Sequence, residues 1–222
     1  MLHMETMFDT LLQLPLFQGL THEDFTAILA KVKLHFTRHK SGDLLCASGE
    51  PCSQLLFLLR GEATLTTPHE SGLYALAEQI QAPYLVEPYS LFGMSTHYQS
   101  SCHALGEAHT VSIEKSFLTN DLFKYEIFRL NYMNMVCNRA QTLSTRLQTL
   151  PAGSIKERFI HFLLTRCERP IGAKTLKIKM EQLALILNES RMSTSKMLND
   201  LQEQGLVSLR RGEIYIPRAE NL

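Results

Sequence analysis

Residues 187–205, LNESRMSTSKMLNDLQEQG, place Arg191 and Lys196 near the start of a short helical pattern. A guanidinium group can donate two hydrogen bonds to the edge of a guanine, and an ammonium group can hold a phosphate. The same two side chains could also lie on an ordinary solvated helix face. The elements around them decide between a surface helix and a helix that enters the groove of DNA.

Residues 179–204 form two helical stretches with a turn between them. Their apolar-facing positions follow helical spacing: Met180, Leu183, Leu187, Thr194, Met197, Leu198 and Leu201. In the turn, Asn188 tolerates a left-handed backbone, and the Ser190 hydroxyl can cap the second helix. This arrangement predicts a helix-turn-helix.

The next segment, LVSLRRGEIYI at 206–216, alternates apolar and polar residues on both sides of Arg210, Arg211 and Gly212. We predict a strand, a turn and a second strand. A hairpin with two arginines at its tip is suited to contact phosphates beside a groove. The sequence therefore predicts a wing after the helix-turn-helix.

The distribution of charge favours nucleic acid as the partner of this region. The whole chain of 222 residues has 22 Lys+Arg and 22 Asp+Glu. Residues 1–150 hold 10 basic and 14 acidic side chains, whereas 151–222 hold 12 basic and 8 acidic ones. A modestly basic C-terminal module on an acidic partner points weakly towards DNA binding.

The pattern of apolar residues, Gly and Pro changes twice in the preceding part of the chain. From 35 to about 113, short apolar runs are separated by Gly or Pro at intervals of roughly ten residues, which predicts a β-roll or barrel. From 115 to 150 there is neither Gly nor Pro, which predicts helix. Pro151, Ala152 and Gly153 then break the helix, and Ser154 with Glu157 forms a predicted capping box.

The predicted long helix carries an a/d pattern of Met133, Val136, Ala140, Leu143, Leu147 and Leu150. Such a seam could pack on the β-roll of its own chain or on a second copy of the helix. We expect self-association.

The chain resembles the Crp/Fnr family of bacterial transcription regulators over nearly its full length. The resemblance rests on LPLFQGL, HKSGDLLCASGEPCSQLLFLLRGEATL, LFGMSTHYQSS, RFIHFLL and the helix-turn-helix with its wing. It implies an α+β chain with a jelly-roll effector-sensing domain (1–116), a dimerisation helix (117–150) and a winged helix-turn-helix domain (151–222). A homodimer would bind double-stranded DNA at a near-palindromic site.

The resemblance also assigns DNA contacts. Arg191 would contact a guanine edge, Ser190 and Ser193 would hold phosphate or base, and Lys196 and Asn199 would reach further bases or backbone. Arg210 and Arg211 would complete the set. Met192 departs from the acidic residue of the cyclic-AMP receptor and offers only apolar contact, so we expect a different half-site.

The effector pocket implied by the resemblance comprises eight residues: Phe92, Gly93, Met94, Gln99, Ser100, Ser101, Leu143 and Ser144. Binding a cyclic nucleotide uses a Gly-Glu pair and an Arg-Ser pair, because a desolvated phosphate needs a guanidinium or an equivalent set of donors. Here Met94 follows Gly93, and no Lys or Arg occurs from 61 to 114. We therefore predict an effector other than cyclic AMP, with the effector itself unknown.

Alternative sensor chemistries follow from the cysteines and histidines. No cysteine precedes Cys46, which argues against an iron–sulfur cluster of the kind found in this family. Haem remains open, because His97, Cys102, His103 and His109 fall in or near the pocket segment. Thiol-based redox sensing, a small apolar effector and constitutive activity also remain open.

We expect no enzyme, because a jelly-roll metal enzyme would need a His-x-His pair, which the chain lacks. An interaction module that binds protein through the winged domain is the other rival. The absence of a long apolar run or a secretory signal predicts a cytoplasmic protein without membrane attachment. RNA polymerase would be a further partner if the protein is an activator.

Overall fold

A computed structural model describes residues 10–31, 33–148 and 153–222. The chain divides into two compact units. The first comprises Met1–Thr64 and Ile80–Gln141, and the second comprises Leu65–Gln79 and Thr142–Leu222. Among the described residues, no helix is both long and apolar enough to cross a lipid bilayer.

The first unit is built from short antiparallel strands. Its elements are a 3-10 turn (Pro15–Phe17), α1 (His22–Lys31), β1 (His35–His39), β2 (Leu44–Cys46), β3 (Gln54–Arg60), the start of β4 (Glu62–Pro68), the end of β5 (Tyr74–Gln81), β6 (Tyr84–Val86), a 3-10 turn (Pro88–Leu91), β7 (Ser101–Ala104) and β8 (Ala108–Glu114). One sheet has the order β1-β8-β3-β6, and β2 pairs with β7 outside it. The two antiparallel sheets and the later helix-turn-helix confirm the predicted α+β fold of the jelly-roll type.

The core of the first unit is aromatic. Phe17 contacts Phe25, Phe57 and Phe128 with ring centroids 5.7, 5.9 and 5.4 Å apart. All four side chains are buried. These contacts join the N-terminal turn, α1, β3 and a helix of the 115–148 segment. The Phe17–Phe25 pair is edge-on, a geometry that adds to the free energy of simple burial.

The predicted helix at 115–150 is divided. It begins as α2 (Lys115–Asn120), passes through a 3-10 turn (Leu122–Lys124) and continues as α3 (Glu126–Gln148). Phe123 lies within this break, and its ring packs on Phe92 and Tyr132 at 6.0 and 5.5 Å. Tertiary packing of an aromatic side chain thus overrides a sequence that has no helix breaker.

One face of α3 leaves apolar side chains exposed in the single chain. Leu130, Met133 and Leu147 are 43%, 45% and 74% exposed, and Cys137 and Ala140 are also exposed. The spacings along this strip are 3, 4, 3 and 7, and it includes Cys137, which the predicted seam did not. Val136 and Leu143 of the predicted seam are half-buried. Leu150 of the predicted seam lies outside the described residues.

The second unit combines helices with a small antiparallel sheet. Its elements are the hairpin of β4 and β5, the end of α3, α4 (Ile155–Leu164), β9 (Lys174–Ile178), α5 (Met180–Ile186), α6 (Arg191–Glu203), β10 (Ser208–Arg210), β11 (Glu213–Ile216) and a 3-10 turn (Ala219–Asn221). The order of its strands is β10-β11-β9-β5. Phe159, Leu183, Leu198 and Ile216 lie at the centre of its core.

The capping box predicted at the start of α4 is confirmed. The Ser154 hydroxyl accepts from the Glu157 amide at 3.3 Å, and the Glu157 carboxylate accepts from the Ser154 amide at 2.8 Å. Two amides that have no partner within the helix are satisfied in this way. Pro151 and Ala152 of the predicted hinge lie outside the described residues.

Strand β5 is part of the second unit through its pairing with β9. The register runs from Tyr74 opposite Ile178 to Glu78 opposite Lys174. Leu65–Gln79 fall within the predicted 1–116 domain, so this pairing is a contact that the sequence did not indicate. The predicted domain boundaries at 116 and 150 stay predictions.

Candidate nucleic-acid interface

The turn before α6 adopts the conformation expected from its sequence. Asn188 has a φ of 50°, in the left-handed region. The Ser190 hydroxyl accepts from the Ser193 amide at 3.0 Å and thereby caps α6. The predicted helix-turn-helix is therefore confirmed, because α5, the left-handed turn and the capped α6 follow one another as expected.

Helix α6 divides cleanly into a buried face and an exposed face. Thr194, Met197, Leu198 and Leu201 are buried, as predicted. Most of the predicted DNA-contacting residues of the helix lie on the other side and are exposed: Arg191, Met192, Ser193, Lys196 and Asn199. Met192, at 82% exposure, is an apolar side chain with no packing role in the unit.

The two serines at the start of α6 are already hydrogen-bonded to each other. Their hydroxyl oxygens are 2.8 Å apart, and Ser190 is also engaged as the helix cap. Ser190 is exposed, so its remaining hydrogen-bonding capacity faces outward. In the structure this hydroxyl accepts from a backbone amide at the start of α6, and a contact with phosphate would be additional.

Arg191 has a partner that the sequence analysis missed. Its Nε lies 3.2 Å from Oε1 of Glu181 on α5, and both side chains are more than 60% exposed (71% and 66%). An exposed ion pair of this kind contributes little to stability. Arg191 is therefore available to exchange Glu181 for another acceptor.

The predicted wing is confirmed as a two-residue hairpin. Arg210 pairs with Glu213, which leaves Arg211 and Gly212 at the tip. Gly212 has a φ of 75°, a conformation that favours glycine in such a turn. Both arginines are exposed.

Side-chain contacts fix the wing and the recognition helix relative to the rest of the unit. Oε1 of Gln202, on α6, accepts from the Leu209 amide of the wing at 2.9 Å. Arg158, on α4, pairs with Glu189 in the turn before α6. The exposed face of α6 and the wing tip thus belong to one connected framework.

A groove beside α6 adds a cation that the sequence analysis did not select. The cavity, about 340 Å³, is lined by residues from the start of α4 and from α6, among them Ser154, Lys156, Ser193 and Lys196. The groove thus holds two ammonium and two hydroxyl groups that can donate to a phosphate backbone, together with the Asp200 carboxylate, which offsets part of the positive charge. Lys156 could be found only from the structure, because nothing in its local sequence sets it apart.

In the predicted effector cassette, several polar groups are already hydrogen-bonded. The amides of Gln99 and Ser100 each donate to the carboxylate of Glu87 at 2.8 Å. The Ser101 hydroxyl accepts from the Ser48 amide at 3.0 Å. Sequence reasoning missed Glu87, which is 1% exposed.

The remaining predicted pocket residues differ in exposure and in the compact unit to which they belong. Phe92 is half-buried and packs on Phe123 and Tyr132, whereas Gly93 and Met94 are exposed. Leu143 and Ser144 belong to the part of α3 that falls in the second unit. Leu143 is half-buried there and Ser144 is exposed.

Four of the five cysteines are buried and one, Cys137, is exposed. Burial raises the pKa of the Cys102 thiol to about 12 and that of the Cys167 thiol to about 11. It also raises the pKa of Cys46 and Cys52. These four thiols are therefore poor nucleophiles at neutral pH.

The histidines considered for haem are mostly on the surface. His97 and His103 are exposed, and half-buried His109 lies 3.1 Å from Glu107. Cys102 is fully buried. Within the described residues, no group of three or more His, Cys, Asp and Glu side chains is arranged to hold a metal ion.

Comparison with known proteins identifies the C-terminal part of the chain. Residues 157–222 match the model of the Crp-like helix-turn-helix domain. Two global nitrogen regulators are similar over most of the chain. That of Synechococcus elongatus is 22% identical over 202 residues, covering 84% of this chain and 87% of the relative, and that of a Synechocystis species is 23% identical over 183 residues, covering 76% and 78%.

Among solved structures, the catabolite activator protein of Thermus thermophilus aligns with 94% of this chain and 96% of its own length, at a TM-score of 0.50 and 17% identity. This likeness shows the shared fold.

Proposed function

We propose that this chain, a transcription regulator of the Crp/Fnr type with a Crp-like helix-turn-helix domain at 157–222, binds a near-palindromic DNA site as a homodimer and responds to an effector other than cyclic AMP. We propose no enzymatic activity and a cytoplasmic location. RNA polymerase would be a partner if the bound protein activates transcription.

The observation that carries the proposal is the exposed face of α6 beside the wing. Arg191, Lys196, Arg210 and Arg211 are all exposed there, while the opposite face of the helix is buried in the unit. An α-helix with such a face fits the major groove, and a basic hairpin beside it can hold the flanking phosphates. The lysines of the neighbouring groove, Lys156 and Lys196, would add backbone contacts.

We assign base recognition to Arg191, Met192 and Asn199 and backbone contacts to the remaining members of the set. Arg191 would leave Glu181 and donate to O6 and N7 of a guanine. Met192 has no acceptor for a cytosine amino group, and its thioether would contact a thymine methyl group. The half-site should therefore contain a guanine near one end of the recognition helix. A Met192→Glu variant should prefer a different half-site sequence.

The homodimer is supported by the exposed apolar strip of α3. The spacings between Leu130, Met133, Cys137, Ala140 and Leu147 are 3, 4, 3 and 7, which suits a parallel pair of helices. In a symmetric dimer the two recognition helices would lie about 34 Å apart and would each enter a half-site. Palindromy of the DNA site follows from the twofold symmetry of the protein.

Cys137 provides a direct test of the dimer, because it is the exposed cysteine and lies on the strip. In a parallel symmetric pair, its two copies face each other, so mild oxidation should give a covalent dimer that Cys137→Ser abolishes. The Met133→Asp variant should sediment as a monomer. A wild-type chain that sediments as a monomer at micromolar concentration would contradict the proposal.

The proposed effector specificity rests on the absence of a guanidinium at the position of the family's Arg-Ser pair. No Lys or Arg occurs between 61 and 114, and the amides of Gln99 and Ser100 already have an acceptor. A phosphate beside Gln99 and Ser100 would be desolvated without a guanidinium partner. The nearby Lys115 ammonium is already engaged, because it donates to the Leu91 carbonyl at 2.7 Å and lies 4.6 Å from the centre of the Phe92 ring. Calorimetry with cyclic AMP should show no saturable binding, and a dissociation constant in the micromolar range or below would refute this part of the proposal.

For the response to an effector we propose that the break at 151–153 acts as a hinge. Replacing Gly153 by alanine is a poor test of it, because the added Cβ would collide with the Glu157 carboxylate that closes the capping box. Any effect on DNA affinity would then mix the hinge with the helix cap. Inserting one or two glycines after Ala152 changes the connection and leaves Glu157 in place.

The experiment that tests the function is selection of bound duplexes from random DNA. We expect a near-palindromic consensus whose affinity falls steeply as salt rises, because phosphate contacts release counterions. The rival interaction module predicts no enrichment of any sequence and no steep dependence on salt. The selected site also provides the probe needed to screen small molecules and haem for effects on binding.

A further inference from the structure

An ion pair joins the turn before α6 to helix α4. Nη2 of Arg158, on α4, donates to Oε1 of Glu189 in the turn. The two side chains are only 26% and 30% exposed, whereas those of the Arg191–Glu181 pair are 71% and 66% exposed. Because water and salt screen a shielded pair less than an exposed one, the Arg158–Glu189 pair can hold its two partners in a fixed relation.

Glu189 occupies the point of the turn from which α6 begins. It follows the left-handed Asn188 and precedes Ser190, whose hydroxyl caps the helix. Its own amide donates to the Ala184 carbonyl of α5 at 2.9 Å. Arg191 is two residues further along, so a shift of Glu189 would move the start of the recognition helix.

Glu189 is the acidic partner that balances the charge of Arg158. The Nε of Arg158 is buried, and no acceptor for it lies among the residues that the structure describes. A buried donor without an acceptor is unfavourable by itself. The side chain also lines a cavity of about 530 Å³, in which His161 and Arg166 supply two further basic groups and no carboxylate is present among the lining residues. Burial alone therefore does not favour this position of the guanidinium, and the contact with Glu189 offsets the cost.

Arg166 lies beyond the end of α4 and makes different contacts. Its Nε donates to the Tyr74 hydroxyl at 2.7 Å, and its Nη1 donates to the Phe162 carbonyl at 3.1 Å and to the Thr165 hydroxyl at 2.8 Å. These three acceptors all lie outside the turn at 187–190. The two arginines carry the same charge and line one cavity, so Arg166 is the matched control for Arg158.

We propose that Arg158 is a positioning residue for DNA recognition. Through Glu189 it fixes the start of α6 relative to α4, so that Arg191 meets its base in one orientation. Arg158 itself makes no contact with DNA. The inference rests on the proposed function, because the orientation of α6 matters to affinity only if α6 reads DNA.

The test measures selectivity, which is the ratio of the affinity for the selected duplex to the affinity for scrambled DNA. Arg158→Gln should lower the selectivity by about fivefold or more for each half-site, because Arg191 loses the geometry of its contact with guanine. The slope of log affinity against log salt should stay at the wild-type value, since no phosphate contact is lost. Arg166→Gln removes the same charge and should leave the selectivity unchanged.

Glu189→Gln tests the pair from its other side and leaves both arginines in place. It should lower the selectivity by a similar factor. The double variant Arg158→Gln/Glu189→Gln should lose no more than either single variant, because the same interaction is missing in all three. Arg158→Lys keeps the charge and should recover part of the selectivity. Additive losses in the double variant would overturn the proposal, since the two residues would then act separately.

A purely structural role of the pair gives a different result. The variants would then unfold at a lower denaturant concentration while the selectivity stayed at the wild-type value, which would overturn the proposal. Equal losses on both duplexes with a smaller salt slope would overturn it as well, because Arg158 would then contact phosphate. If Arg158→Gln fails to fold, Glu189→Gln decides by the same measurement. A wild type that prefers no sequence would contradict the proposed function and this inference together, whereas unchanged selectivity in the variants of a selective wild type would overturn this inference alone.

Discussion

Among the residues that the structure describes, each compact unit buries one glutamate, and the hydrogen-bond donors around the two carboxylates differ. Glu78 in the second unit is 2% exposed and lies 2.9 Å from Nζ of Lys174, which is itself fully buried. Glu87 in the first unit has only amide and hydroxyl donors. The buried carboxylate of the second unit thus has a buried cation as its partner, whereas that of the first unit is held by uncharged donors. The second unit also exposes cations on α6 and at the wing.

Breaking the buried pair should have the largest effect on stability. Lys174→Met leaves the Glu78 carboxylate buried without a counter-charge, and removing one member of such a pair costs about 3–5 kcal/mol. Denaturant unfolding of the variant should show a corresponding fall in the free energy of unfolding. Glu78→Gln combined with Lys174→Met should recover much of the loss, and a single variant as stable as the wild type would contradict the assignment.

Arg191→Ala tests the exposed cations of the second unit. We expect a loss of about 1–3 kcal/mol for each half-site of the selected DNA, which is about fivefold to more than a hundredfold in affinity per half-site, and a relaxed preference at one base pair of each half-site. Lys40→Ala, which removes one exposed charge from the first unit, is the matched control. Equal losses for the two variants would show that Arg191 contributes charge alone.

The wing should affect affinity without affecting sequence preference. Replacing Arg210 and Arg211 by alanine should weaken binding to all duplexes by a similar factor, because the wing is assigned to phosphates. The slope of log affinity against log salt should fall by about 3.6, since each phosphate contact contributes about 0.9 and each protomer of the dimer loses two contacts. Loss confined to the selected sequence would instead indicate that the wing reads bases.

The smallest effect is expected at Glu181. Its exposed contact with Arg191 must be given up for DNA, so Glu181→Gln should raise affinity, by about 1 kcal/mol or less. Glu23→Gln removes one exposed negative charge from the first unit and should leave affinity unchanged. A decrease with Glu181→Gln would show that the carboxylate orients Arg191 towards the DNA.

The features that could be predicted from the sequence are those that depend on interactions between residues close together in the chain. The left-handed Asn188, the caps at Ser154 and Ser190 and the hairpin at Gly212 depend on residues within a few positions of each other, and the structure confirms all four. Their chemistry is encoded in the local residue types. The helix-turn-helix and its wing could therefore be located before any coordinates were known.

Contacts between distant segments could not be predicted in the same way. Glu78 and Lys174 are far apart in the chain, and neither residue stands within a recognisable motif. Glu87 meets Gln99 and Ser100 only because the 3-10 turn and the following loop fold back. The break in the long helix at Phe123 similarly depends on packing against Phe92 and Tyr132.

The most direct test of the account is titration of the wild-type chain with its selected duplex, with the isolated half-site and with scrambled DNA at several salt concentrations. We expect tight binding to the full palindrome, much weaker binding to the half-site and a steep loss of affinity with salt. Equal and salt-insensitive binding to all three duplexes would contradict a homodimer that reads DNA through α6 and the wing.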